Sequence, residues 1–255
     1  MKRSFIRILP FLLLLFALLS NGILFRTALH YYRLYLKATL DPLNIDASSP
    51  QVRDPKLSLS PRIIFIGDSR ARAWPLPSSL RSKFLYSNYA VSGSTTSQVL
   101  GHFSRLSLTL TPRDIIVIQA GINDLKTIPF FPLERNRITE LCFENISRLT
   151  SLITDSHATV VLTTIIPIGT IPLYRKPFWS PSVEESISQC NSQIKKLASD
   201  NVYILDTSIL SDQTARIPSQ LQLNFLHINS SAYHVLNTKL VSIINSISSQ
   251  RSYSK

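Results

Sequence analysis

The sequence predicts an α/β protein: a five-stranded parallel sheet covered by helices on both faces, preceded by a membrane segment. Three observations carry this. Five short runs are apolar throughout, without the alternation of a half-exposed strand. Amphipathic stretches of helical period separate them, the pattern of a parallel sheet with crossover helices. Ahead of both lies ILPFLLLLFALLSNGILF, residues 8 to 25, charge-free behind Lys2, Arg3 and Arg7.

That first run has 18 residues, near the lower limit for a bilayer-spanning helix, and is apolar on all faces. The sequence continues as ILFRTALHYYRLYLK, with Tyr31 and Tyr32 suited to a membrane interface. Residues 1 to 40 are therefore expected to be an uncleaved anchor, with the remainder extracytoplasmic. The alternative is a secretory signal cut near Ser20 and Gly22, which would release a secreted or periplasmic protein. Residues 41 to 61, DPLNIDASSPQVRDPKLSLSP, hold no apolar period and read as a linker.

Residues 62 to 255 form the expected α/β domain. The strands are RIIFIG (62 to 67), KFLYSNYAV (83 to 91), DIIVIQAG (114 to 121), ATVVLTTIIP (158 to 167) and NVYILD (201 to 206). Helical spacing is found over 94 to 106, 133 to 156, 183 to 199 and 230 to 248. The proline- and aromatic-rich stretch 168 to 182 follows the fourth strand, where α/β folds place loops that meet substrate.

The net charge of +12 suggests a polyanion partner, but six of the basic residues lie in the first 40. The remainder has 21 basic and 15 acidic residues with no dense basic run. General attraction to an anionic lipid or polymer fits this better than nucleic-acid binding. Cys142 and Cys190 are the only cysteines. They offer neither a zinc pattern nor a disulfide framework, only one bridge or two buried thiols. No metal and no cofactor is expected.

Ligands of an open parallel sheet bind at the carboxyl ends of its strands. The first strand runs into Gly67-Asp68-Ser69, the second leads to Ser92-Gly93-Ser94, and the third ends in Gly121-Ile122-Asn123-Asp124. His227 comes late, in NFLHINSSAYHVL, just before the last helix. A nucleophile, oxyanion donors and a base are thus expected at one edge. Taken singly, each has a plainer reading: Ser69 as a helix N-cap, Gly93 as a turn glycine, Asn123 as a loop residue and His227 as a satisfied loop histidine. Asp68 and Asp124 read as local structural anchors, Arg70 and Arg72 as a solvated helix start, and Trp74 and Trp179 as packing residues. His30, His102, His157 and His234 have no matching partners.

Together, in this order, the four blocks resemble the SGNH, or GDSL, hydrolase family. Gly67-Asp68-Ser69 is similar to its nucleophile block, Gly93 to its glycine block, Gly121-Ile122-Asn123-Asp124 to its GxND block, and His227 with Asn229 and Tyr233 to its terminal block. The resemblance implies a flavodoxin-like three-layer sandwich. It also implies that Ser69 attacks an acyl ester and His227 relays the proton, while the N–H groups of Ser69 and Gly93 and the Asn123 carboxamide hold the oxyanion. The substrate would be an O-acyl ester of a glycan or lipid, and the same serine could serve an acyltransferase. One position departs from the family pattern: Asn224 stands where an aspartate precedes the histidine by three. Either Asn224 or a backbone carbonyl orients His227 in a dyad, or Asp206 or Asp212 substitutes, or the domain is a non-catalytic binding module.

Overall fold

The computed structural model describes residues 2–40, 60–106 and 108–253, and it divides into two units. The first is helix α1 (Lys2–Leu40). Its apolar side chains, among them Phe11, Phe16, Leu18, Ile23 and Leu24, are exposed around its surface. At about 1.5 Å per residue it is longer than the roughly 30 Å hydrocarbon core of a bilayer. Among the described residues it is the one helix long and apolar enough to cross a membrane, a test that a secretory signal also passes. The expected linker lies outside the described residues, apart from Ser60 and Pro61.

The second unit is built on strands β1 (Arg62–Gly67), β2 (Leu85–Asn88), β3 (Ile115–Gln119), β4 (Thr159–Thr163) and β5 (Val202–Leu205), all parallel, in the order β2-β1-β3-β4-β5. The chain therefore leaves β1 for β2 on one side and crosses back to β3 on the other. The carboxyl end of β1 is therefore a switch point, the usual ligand position of a flavodoxin-like sheet. β1, β3 and β4 are buried on both faces, which is why they read as unbroken apolar runs.

Alternate residues serve the two faces. Ile63, Phe65, Ile115, Val117 and Val161 join one core cluster with Leu236, Leu240 and Ile244. These last lie on α8 (Ser230–Tyr253). Helices α4 (Thr96–Arg105), α6 (Arg135–Thr154) and α7 (Pro181–Lys195) pack side by side, with α4 against β1 and α6 against β4. Three single-turn helices, α2 (Ser69–Arg72), α3 (Ser78–Arg81) and α5 (Ile122–Leu125), were too short to show a period in the sequence.

β4 is shorter than expected because a side chain claims the backbone polar atoms beyond its end. Asn191 brackets Ile165, accepting from its N–H at 2.7 Å and donating to its carbonyl at 3.0 Å. Thr164 N–H still donates to Leu205 O of β5 at 3.1 Å, and at Ile165 the Asn191 side chain takes the place of a neighbouring strand. Helix α7 starts two residues earlier than expected, at Pro181, with Ser180 capping Ser182 N–H at 3.2 Å. At the opposite end of the sheet, Arg62 and Asp114 form a buried two-pronged ion pair, Nε–Oδ1 2.9 Å and Nη2–Oδ2 2.7 Å. Cys142 and Cys190 are both buried free thiols, so the expected alternative of a bridge is not adopted.

Candidate active site

β1 ends in a turn that only glycine tolerates. Gly67 has φ +147°, and a Cβ there would lie 1.8 Å from the Gln119 carbonyl oxygen. This close approach lets Asp68 N–H donate to the same carbonyl at 3.1 Å. The Asp68 side chain then accepts from Arg70 N–H at 2.8 Å and is the N-cap of α2. Ser69 is the first residue inside that helix, so its hydroxyl is not consumed in capping. Asp68 is fully buried, and burial pushes its carboxyl up to about 6 against the pull of Arg70.

The structure brings His227 to this serine from 158 positions along the chain: Ser69 Oγ and His227 Nε2 are 3.0 Å apart. The far ring nitrogen, Nδ1, lies 3.1 Å from Asn224 Oδ1. That oxygen also accepts from the backbone N–H groups of Leu226 and His227, both at 2.9 Å. Two obligatory donors therefore fix which end of the carboxamide faces the ring. An oxygen held in this way can only accept, so the proton sits on Nδ1 and the lone pair of Nε2 faces Ser69. The asparagine thus selects the tautomer a general base needs while supplying no charge. Asp206 and Asp212 do not take its place. Asp206 pairs with Lys195 at 2.5 Å and caps Ser208, and Asp212 accepts from Thr214 N–H at 2.8 Å.

Arg70 corrects the sequence expectation of a solvated helix start. It is buried, and its guanidinium donates to three carbonyls: Leu226 at 2.7 Å, Ile166 through a short contact and Pro167 at 3.4 Å. These bonds join the Ser69 turn to the two loops that flank it. Tyr233 of α8 adds a fourth tie, its hydroxyl donating to the Arg70 carbonyl at 2.8 Å. Burial lowers Arg70 to about 10, still a cation at neutral pH. The His227 imidazole is held below its ordinary range by burial first, then by the positive charges of Arg70 and Lys126. Both effects keep the ring in the neutral form that can accept a proton.

The glycine and asparagine blocks meet beside the serine. Val91 N–H donates to Gly67 O at 3.0 Å, which brings the loop after β2 to the end of β1. Gly93 follows with φ +84°, and a Cβ there would meet nothing within 4 Å. Asn123 Nδ2 donates to Ser94 O at 2.9 Å, tying this loop to α5, with the second N–H of the amide left over. Among the described residues, the backbone N–H groups of Ser69 and Gly93 donate to no protein acceptor. Asp124 proves to be a long-range anchor and not a local one. Its carboxylate accepts from Thr96 N–H at 2.9 Å and Thr96 Oγ1 at 2.7 Å at the start of α4.

Lys126 is the site residue that sequence reasoning missed. Its Nζ donates to Asn123 Oδ1 at 2.6 Å, so the carboxamide cannot flip and Nδ2 stays on the side of Ser94. Burial lowers the Lys126 pKa, while Asp68 and Asp124 favour its charge. Its place one turn after Asn123 was the available signal, but a lysine at a helix end ordinarily reads as solvated.

Comparison with known proteins shows the family and the fold. The model of the GDSL-like lipase/acylhydrolase family matches residues 65–235, well over half of the chain. The protein belongs to this family and is a hydrolase of ester bonds. Solved structures with the same fold include a GDSL-like lipase from Bacteroides thetaiotaomicron, at 20% identity and TM-score 0.56, covering 73% of this chain and 88% of that one. A lipase/acylhydrolase from Enterococcus faecalis is similar at 18% identity and TM-score 0.53, with 73% and 96% covered. An acetylxylan esterase from Geobacillus stearothermophilus, solved as a catalytic mutant, is similar at 14% identity and TM-score 0.54, with 74% and 95% covered. No curated protein matches the chain.

Proposed function

We propose that the protein is a membrane-anchored serine esterase whose Ser69–His227 dyad, oriented by Asn224, removes an O-acyl group from a glycan or a lipid. The observation that carries this is the 3.0 Å approach of Ser69 Oγ to His227 Nε2, with Nδ1 committed to a carboxamide oxygen that can only accept. Ser69 Oγ bonds to the carbonyl carbon as its proton passes to Nε2. The carbonyl oxygen, now negative, takes hydrogen bonds from Ser69 N–H, Gly93 N–H and Asn123 Nδ2. Each such donor is worth about 3–4 kcal/mol where it has been removed from comparable sites. His227 returns the proton to the departing alcohol oxygen, and the acyl-serine remains. Water then repeats the sequence, with His227 accepting its proton, and frees the acid. Arg70 takes no proton in this scheme; it holds the loops and keeps the imidazole neutral.

The anchored setting rests on the apolar character of α1 and on the basic flank that precedes it. Labelling with a fluorophosphonate probe tests the chemistry without a choice of acyl chain. The expected result is covalent labelling of the native chain, its loss in Ser69→Ala and strong slowing in His227→Ala. Equal labelling of the native chain and Ser69→Ala would reject Ser69 as the nucleophile. Recovery of the intact chain, with its own N-terminus, from washed membranes is the matching result for the anchor.

A further inference from the structure

The loops on either side of His227 present apolar and cationic side chains together. The short 3₁₀ helix Leu173–Phe178 follows β4, and the segment 222–226 precedes the histidine. They are joined: Gly169 N–H donates to Phe225 O at 2.8 Å, and the Trp179 ring meets Phe225 edge-on at 5.6 Å. Arg70 binds the carbonyls of Pro167 and Leu226 from below, so both loops are fixed to the helix that carries Ser69. On this supported base Leu173 is 80% exposed, Tyr174 71% and Leu223 72%. Single exposed leucines are ordinary, but three large apolar groups on adjoining loops beside a reactive serine are not. The Arg175 guanidinium stands over the rings of Tyr174 and Phe225, at 5.7 and 6.0 Å, with Lys176 next to it. Neither 168–180 nor 219–229 contains an aspartate or glutamate.

We propose that this surface docks on an anionic lipid bilayer, with Leu173, Tyr174 and Leu223 entering the apolar layer and Arg175 and Lys176 meeting headgroup phosphates. The arrangement has what an interfacial segment requires: apolar tips, an aromatic residue with a polar end, and cations at headgroup level. Charge complementarity and the presence of a membrane-length helix in the same chain select a bilayer as the occupant. Leu173 and Leu223, two of the three crest residues, offer a glycan no hydrogen bond. Docking goes beyond the ester chemistry proposed above and does not depend on it. Where both hold, it presents the Ser69 rim to acyl groups carried at the membrane surface.

The test uses the full chain reconstituted in phosphatidylcholine vesicles, with and without phosphatidylglycerol. Tyr174→Trp places a reporter at the crest, with the native chain, whose tryptophans are Trp74 and Trp179, as the baseline. Phospholipids brominated along the acyl chain are expected to quench the added emission at least twofold more than the baseline, and more strongly with phosphatidylglycerol present. Adding Leu173→Asp and Leu223→Asp is expected to abolish the difference while the circular-dichroism melting curve stays unchanged. Quenching of the added tryptophan no greater than baseline would overturn the proposal and return the surface to a soluble ligand. So would quenching that persists in the aspartate variant. Neither readout requires turnover, so failure of the esterase reading and failure of docking are separable.

Discussion

Replacing Asn224 with aspartate should improve the enzyme, and by a limited amount. In the serine-protease template the reverse change costs about 10⁴ in rate, because the amide leaves the imidazole in the wrong tautomer. Here the backbone N–H groups of Leu226 and His227 already hold Asn224 Oδ1 as an acceptor, and the tautomer is correct. Asn224→Asp therefore adds only charge. A full charge pair at about 4 Å is worth roughly 4 kcal/mol at an effective dielectric of about 20. The Asn224–His227 contact lies at an exposed position, so most of that is screened. What remains is the difference between a charged and a neutral hydrogen bond, about 1–1.5 kcal/mol. That corresponds to roughly tenfold in kcat for a p-nitrophenyl ester and about one unit in the His227 pKa. The sign for pH follows. The native imidazole titrates below its ordinary value, so the acid limb of kcat/KM should lie below about pH 6.5. The introduced carboxylate favours imidazolium, so the limb moves to higher pH: faster turnover near neutrality, less at low pH. A gain above about 10³ would mean that the native carboxamide holds the wrong tautomer. No gain together with an unmoved limb would mean that His227 is not the base.

Lys126→Met should lower kcat by about tenfold with KM little changed, less than the 10²–10³ lost with a whole oxyanion donor, because the amide stays but is free to rotate. It should also move the acid limb upward, since a cation near His227 is removed; a purely structural lysine would leave the limb in place. Gly67→Ala should give insoluble protein, because the added methyl would stand 1.8 Å from a backbone oxygen; soluble expression with native melting would show that the turn is looser than described. Arg62→Met should cost about 3–5 kcal/mol by leaving Asp114 buried and unpaired, read as a fall of about 1–2 M in the urea midpoint. Burial alone would raise Asp114, but its bonds from Arg62 and Thr111 hold it below the usual carboxylate range. That contribution is present above about pH 4 and is lost as pH falls through the depressed value; in Arg62→Met the acid-side loss should flatten.

The five strands and the four chemical blocks were legible because each is written locally. β1 and β3 are apolar throughout since both faces are covered, and the glycine turns follow directly after them. What stayed hidden was set by distant partners. Arg70 looks like any basic residue in a helix's first turn; its burial depends on carbonyls from residues 166, 167 and 226. The division of labour between Asp68 and Ser69 at the helix cap turns on one backbone angle at Gly67. Asn224 left several readings open because its type was visible and its two backbone donors were not. β2 shrank to four residues because it lies at the sheet edge, with β1 as its single partner.

The wide separation of Ser69 and His227 has a consequence for how the protein is made. At about 5–20 residues per second, a ribosome adds the imidazole roughly 8 to 30 s after the hydroxyl. Through that interval the nascent polypeptide carries Ser69 without its partner, and on the proposed mechanism any product that stops short of the last loop lacks the base. The Ser69–His227 pair can form only after the closing loop has been made, and Tyr233 of the last helix then ties that end of the chain to the Arg70 carbonyl.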